Sequence, residues 1–336
     1  MKTVVIAIDP TAPSPDVLAE AARVLRGGGL VAFPTETVYG LGANALDASA
    51  VARIFAAKGR PANNPLIVHL ADAAQAREVA SSWPESATRL AERFWPGPLT
   101  LVLPRRDFVP DIVTATGPTV AVRVPAHPVA QALLRAAALP LAAPSANRSM
   151  ELSPTRAEHV LRGLEGRIDL LLDGGSTAGG IESTVLDVTT MPPRLLRPGL
   201  LGVAELEAVI GSLARAPSPR AETADVFASP GMMPRHYAPR TPLECVEAGK
   251  ELERLVLLLD EKRRVGWVAF TDPGGIIPSG VLLRVLPSDP AGYAAQLYAV
   301  LHELDDAGLD RILVTLPPDS DEWLAVRDRL RRAASD

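Results

Sequence analysis

A chain of 336 residues exceeds the size at which one hydrophobic core usually keeps growing, so two domains are expected. Apolar residues make up 47% and charged residues 22%, close to the soluble average, and no stretch approaches the unbroken apolar run of a membrane helix. The net charge of −5 excludes a broad basic face for coating nucleic acid, and the single cysteine, Cys245, excludes an intrachain disulfide or a Cys-pair zinc site.

The N-terminus, MKTVVIAIDPTAPSP, has one Lys and a short apolar run before Asp9 and Pro10. It reads as a first strand and not a signal peptide, which implies a cytoplasmic protein. Ser14 in N-cap position, Pro15 as first helical residue and the glycines at 27–29 bound a helix. The apolar run 30–33 predicts a strand and PTETVYGLGAN a loop; Val51, Ile54 and Phe55 at helical spacing predict a helix from about 47 to 58. Lys58 and Arg60 then sit at or just past a helix C-terminus, where the dipole favours cations.

Further apolar runs at 66–70, 99–103, 119–124, 139–143, 170–172 and 184–188 predict strands between helices or turns. Pro96, Pro98, Pro104, Pro118 and Pro125 flank them and suit strand ends, so the sheet is expected to be mixed. The proline-rich stretch 214–242 lacks apolar periodicity and reads as a linker between domains 1–213 and 243–336. In the second domain LECVEA, VGWVAFTD, VLLRVLP and RILVTLPP alternate with helical patterns near 252–259, 293–304 and 323–330, which predicts a small parallel α/β domain.

Although the chain is acidic, KGRPANNPLIVHL, APSANRS and PGMMPRHYAPRTP carry Lys or Arg and no carboxylate, so any anion site is local. Gly40, Gly42 and Ala45 mimic a dinucleotide-binding turn, but six residues separate them from the strand and the position expected to hold a ribose is basic Arg60. No glycine-lysine-serine phosphate loop and no nucleophile elbow occurs. Lys58 and Arg60, two apart in a segment stiffened by Pro61 and Pro65, are able to hold a polyanion without a glycine-rich loop. An isolated Lys-x-Arg is more often a solvated helix end, and Ser145 and Asn147 after an apolar strand are equally common in ordinary turns.

The segments PTETVYGLG, KGRP, NPLIVH, WPGPLT, VAVRVP, PSAN and STVLDV occur together, in this order. In them the first two-thirds of the chain resembles the YrdC-like threonylcarbamoyl-AMP synthases, whose signature is Lys-x-Arg followed by Ser-x-Asn. PGMMPRHYAP and the tail resemble the long, two-domain form. The resemblance implies an α/β fold with a YrdC-like twisted mixed sheet around a large basic cavity, plus a small Rossmann-like parallel α/β C-terminal domain. It implies formation of L-threonylcarbamoyladenylate and pyrophosphate from L-threonine, bicarbonate and ATP, for modification of the adenosine beside the tRNA anticodon.

Carried over residue by residue, the resemblance implies Thr37, His69, Arg123, the Ala143 backbone and Ser183 for threonine, with Arg123 as the fork for its carboxylate. For ATP it implies Arg60, Asn64, Thr119, Ser145, Ser153, Arg197 and Tyr237, with Lys58 and Asn147 completing the anion cradle. Lys58, Arg60, Ser145 and Asn147 are the catalytic set. Mg²⁺ is expected to arrive with ATP and not on protein ligands. The product is expected to pass to a tRNA threonylcarbamoyl-transfer complex, direct tRNA contact being left open. Arg235, His236 and Tyr237, set between prolines, read as a lid over the cavity. His127, His159 and His302 are expected to be structural. The competing reading, an RNA-binding or ribosome-assembly module, suits a chain with only 4% aromatics poorly. A carbamoyl hydrolase or transferase without adenylation is the other competitor.

Overall fold

The computed structural model describes residues 2–215, 236–275 and 277–334. The first unit runs β1 (Val4–Ala7), α1 (Pro15–Arg26), β2 (Val31–Phe33), β3 (Gly40–Asn44), α2 (Ala48–Lys58), β4 (Ile67–His69), α3 (Ala73–Val79) and α4 (Glu85–Phe94). It continues through β5 (Leu99–Pro104), α5 (Asp111–Thr114), β6 (Thr119–Arg123), α6 (Pro128–Ala137), β7 (Leu141–Ala142) and α7 (Ala157–Leu164). It ends with β8 (Leu170–Asp173), β9 (Thr184–Asp187), β10 (Arg194–Arg197), α8 (Val203–Ile210) and β11 (Ala214–Arg215). The second unit is β12 (Leu243–Val246), α9 (Glu251–Asp260), β13 (Val265–Ala269), β14 (Val281–Val285), α10 (Pro290–Asp306), β15 (Arg311–Thr315) and α11 (Leu324–Ala334).

Pro15 and Gly27 bound α1 as expected, but the Ser14 hydroxyl makes no cap hydrogen bond; the fixed φ of Pro15 starts the helix instead. The Asp47 carboxylate caps α2 by accepting from the Ser49 and Ala50 amides. Gly59 ends it at φ 62°, a left-handed turn that lets the Arg60 amide bond back to the Phe55 carbonyl at 3.0 Å. That turn redirects Arg60 from the helix axis toward the sheet. Within the expected loop after β2, Gly40–Asn44 is a strand, antiparallel to β2 with Phe33 opposite Gly40. Glycines hide it from a propensity reading, yet a Cβ on Gly42 would lie 2.9 Å from the Phe33 ring, so the close approach requires glycine.

The first sheet has the order β1-β8-β2-β3-β7-β4-β6-β5-β9-β10-β11. It holds both parallel pairs, such as β4 with β6, and antiparallel pairs, such as β5 with β6, so the sheet is mixed as expected. The second, β12-β15-β13-β14, is wholly parallel, also as expected. Val31 and Phe33 pack with Leu25 of α1 and Leu133 of α6, whereas alternate Ala32 packs with Ile54 of α2 and Val160 of α7, so both faces of the sheet are covered. A further apolar cluster crosses the units, joining Val38, Leu152 and Ile181 to Tyr237, Tyr293, Leu297 and Tyr298. Separating the units would expose these side chains, at about 1.5–3 kcal/mol for each large one.

β11 pairs with β10, so the first sheet extends to Arg215, past the expected start of the linker. Most of that linker, including Arg235 and the PGMMP segment, lies outside the described residues. Among the described residues, no helix is long and apolar enough to cross a membrane.

Candidate active site

The strand ends of the first sheet set the site. Parallel pairing of β4 with β6 places His69 beside Arg123 at their carboxyl ends, where side chains of an α/β sheet converge on a crevice. Thr37, Ala143 and Ser145 join them from the loops around β3 and β7, and Arg60, Ser183 and Arg197 complete the wall. Tyr237, late in the expected linker, lines the same pocket. Nine of the residues expected from sequence are thus brought together, while Lys58, Asn64, Thr119, Asn147 and Ser153 are not on the wall.

Lys58 and Asn147 lie behind it. The Lys58 ammonium, 2% exposed, donates to the Ser145 carbonyl at 2.6 Å and to the Asn147 carbonyl, clamping the loop that carries Ser145. Burial first, then the Arg60 charge, pushes its pKa well below the usual lysine value. The Asn147 amide is likewise committed, donating to the carbonyls of Arg148 and Glu151. Asn64 is fully buried and accepts from Arg60 at both its side-chain oxygen (2.6 Å) and its carbonyl (3.0 Å), so it aims the guanidinium. Thr119 opens β6 at the opposite end from Arg123, roughly 13 Å along the strand. Lys58→Met is expected to leave two carbonyls without their donor, lowering stability by about 1–3 kcal/mol. Thermal melting checks this, and an unchanged midpoint would show that the ammonium does not hold the loop.

Arg123 does not offer an empty fork. Its Nη2 pairs with Glu36 at 2.6 Å, its Nη1 donates to the Thr37 hydroxyl at 3.0 Å and its Nε to the Gly97 carbonyl at 3.2 Å. Thr35 donates to the Val38 carbonyl at 2.6 Å, which makes Thr37 the donor in the 2.7 Å contact between the two threonine hydroxyls. Thr37 therefore has acceptor capacity left for a ligand. Burial, then Arg123, holds the His69 pKa down to about 3, so its imidazole is neutral at pH 7.

Across the pocket, Arg197 donates to the Ser183 carbonyl at 3.0 and 3.1 Å and to its hydroxyl at 3.1 Å. Ser153 is turned away, its hydroxyl donating to Glu182 at 2.5 Å. His236 and Tyr237 stack edge to face, 4.0 Å between ring centres, and are 6% and 1% exposed. Tyr237 adopts φ 60°, a region costly for a bulky residue and kept only where the surroundings impose it. Its hydroxyl and the His236 Nδ1 are buried with no hydrogen-bond partner among the described residues. These two side chains help leave a cavity of only about 50 Å³, room for a few waters, in place of the large cavity expected.

Sequence reasoning missed Thr35, Glu36 and Glu182, whereas His236, expected in the lid, does line the pocket. Thr35 and Glu36 stood inside a quoted motif and were passed over for Thr37; Glu182 directly precedes Ser183 and carries no motif signal. Among the described residues no group of three or more His, Cys, Asp or Glu is placed to hold a metal. Cys245, half-buried, has its thiol pushed up to about 12 by burial and lies in the second unit.

Comparison with known proteins supplies independent findings. A family model described as Telomere recombination matches residues 23–199, and one described as Threonylcarbamoyl-AMP synthase, C-terminal domain, matches 201–335. The chain is similar to the threonylcarbamoyl-AMP synthase of Pyrococcus abyssi, 45% identical over 94% of this chain and 93% of the relative. It is similar to that of Bacillus subtilis, 44% identical over 94% of this chain and 92% of the relative. A crystal structure of P. abyssi Sua5 complexed with L-threonine superposes with a TM-score of 0.92 at 43% identity, covering 99% of this chain and 98% of that one.

Proposed function

The chain belongs to the threonylcarbamoyl-AMP synthase family, and on that premise we propose that its pocket joins L-threonine, bicarbonate and ATP. The observation that carries this reading is the convergence of three guanidinium groups, Arg60, Arg123 and Arg197, on one pocket in a chain of net charge −5. Such a pocket suits two anionic substrates and makes a poor RNA groove.

In the reaction, the threonine amine attacks the bicarbonate carbon and water leaves, giving a carbamate. A carbamate oxygen then attacks the α-phosphorus of ATP, the bond to the β-phosphate oxygen breaks, and pyrophosphate departs. The protein contributes positioning and charge neutralisation. Arg60 and Arg197 meet the phosphates, aimed by Asn64 and the Ser183 carbonyl, while Lys58 and Asn147 keep the Ser145 loop in place. Threonine takes the Thr37, His69, Arg123, Ala143 and Ser183 end, its carboxylate sharing Arg123 with Glu36. Mg²⁺ enters as part of the Mg·ATP substrate.

His236 and Tyr237 stand where a nucleotide needs space, so they swing aside on ATP entry and close again over the carbamate, screening it from water. The product passes in the cytoplasm to a complex that transfers threonylcarbamoyl to the adenosine beside the tRNA anticodon.

The pocket should prefer threonine to serine through one methyl group, worth about 1–3 kcal/mol. Serine is therefore expected to react detectably but with a lower kcat/KM; equal values would contradict the pocket. ¹³C-bicarbonate tests the reaction itself: mass spectrometry should find the label in a threonine-containing AMP adduct. An unlabelled threonyl-AMP would reduce the activity to simple amino-acid adenylation.

A further inference from the structure

Glu182 lines the pocket immediately before Ser183, a carboxylate among the guanidinium groups of Arg60, Arg123 and Arg197. Its side chain is 7% exposed and held at three points: Arg329 Nε donates at 2.6 Å, Ser153 at 2.5 Å and Tyr298 at 3.2 Å. Two of these donors come from the second unit, Tyr298 from α10 and Arg329 from α11. Arg329 is itself fully buried and also donates to the Pro198 carbonyl at 3.0 Å, one residue beyond Arg197. Its guanidinium carbon lies 5.1 Å from the Tyr237 ring centre.

We propose that Arg329 is a positioning residue of the nucleotide pocket, holding the Glu182 carboxylate away from Arg197 so that the pocket cations stay available to phosphate. This rests on ATP being a substrate. It also gives the C-terminal unit a direct effect on the site.

The alternatives open to Glu182 decide the matter. A buried carboxylate keeps its charge only when paired. Burial works to raise the Glu182 pKa, but Arg329, Arg197 and the Ser153 hydroxyl work the other way and prevail, holding it below the usual range. Arg197 thus already lies within reach of its field. With Arg329 gone, Arg197 is the cation whose charge still acts on the carboxylate, and a carboxylate paired there competes with the incoming phosphate.

A purely structural Arg329–Glu182 pair and a charge-holding one differ in the sign of their effects. Binding of Mg²⁺ with the α,β-methylene analogue of ATP is measured by calorimetry on the full chain and on its Arg329→Met, Glu182→Gln and doubly substituted variants. Melting curves are recorded alongside. Both single changes are expected to lower the melting temperature. R329M should weaken analogue binding roughly tenfold or more, whereas E182Q should tighten it, and the double variant should return to within about threefold of the unsubstituted chain. Weakening by both single changes, or a double variant no better than R329M, would overturn the proposal. If R329M does not fold, E182Q and the double variant still decide it, since weaker binding by E182Q carries the wrong sign. An unsubstituted chain that binds no analogue would overturn the ATP reading and this proposal with it. Normal binding there, combined with the wrong signs in the variants, would overturn this proposal alone.

Discussion

Arg60→Ala is expected to cut adduct formation roughly ten- to hundredfold or more, because it removes the proposed charge-assisted contacts to nucleotide phosphate, worth about 1.5–3 kcal/mol. The fold should survive with reduced stability. Arg60 donates to the Asn64 carbonyl, the Asn64 side-chain oxygen and the Pro65 carbonyl, and alanine leaves these buried acceptors without that donor. Arg60→Lys separates the two effects: it returns the charge without the planar fork that fits both Asn64 and a phosphate, so it should recover only part of the activity. Steady-state kinetics and a melting curve on each variant check this. Unchanged kinetics in Arg60→Ala would remove Arg60 from the site.

Tyr237→Ala should produce the second large loss, of roughly tenfold or more in kcat/KM for ATP. Tyr237 is packed against His236, Tyr298 and Arg329, and its left-handed backbone is held by that packing. Alanine keeps the Cβ and with it the backbone cost, but opens the pocket to water, so the carbamate should be lost faster than it is adenylated. Normal kcat/KM in a folded Tyr237→Ala chain would reduce this segment to a tether. Cutting the chain after the first unit is a poorer test, because Val38, Leu152 and Ile181 would lose the second unit's cover.

Strands at 99–104 and 119–123, the helix over 48–58 and the parallel second sheet were legible because apolar runs and helical spacing carry them locally. β3 was not: its glycines serve contact with Phe33, a tertiary demand that overrides strand propensity. Within the site, Arg60 and Ser145 stood out as polar groups beside a helix or strand end, and Arg123 came only through the family resemblance. The committed state of each did not. That Lys58 faces backbone carbonyls and Arg123 already holds Glu36 depends on contacts 87 to 89 residues apart in sequence. Glu182 and Arg329 are 147 residues apart, and an arginine in a helix reading RDRLRR looks like a solvated face until the fold buries it. The return of His236 and Tyr237 to the first sheet was legible as a lid; how little volume they leave was not, because it depends on side-chain packing.

The most direct test is pyrophosphate release by the purified full-length chain supplied with Mg·ATP, bicarbonate and threonine in all combinations. Synthesis of a threonylcarbamoyl adenylate predicts pyrophosphate only when all three are present, with one threonine-containing AMP adduct formed for each pyrophosphate. Pyrophosphate released without threonine or bicarbonate, or ADP and orthophosphate in its place, would contradict it.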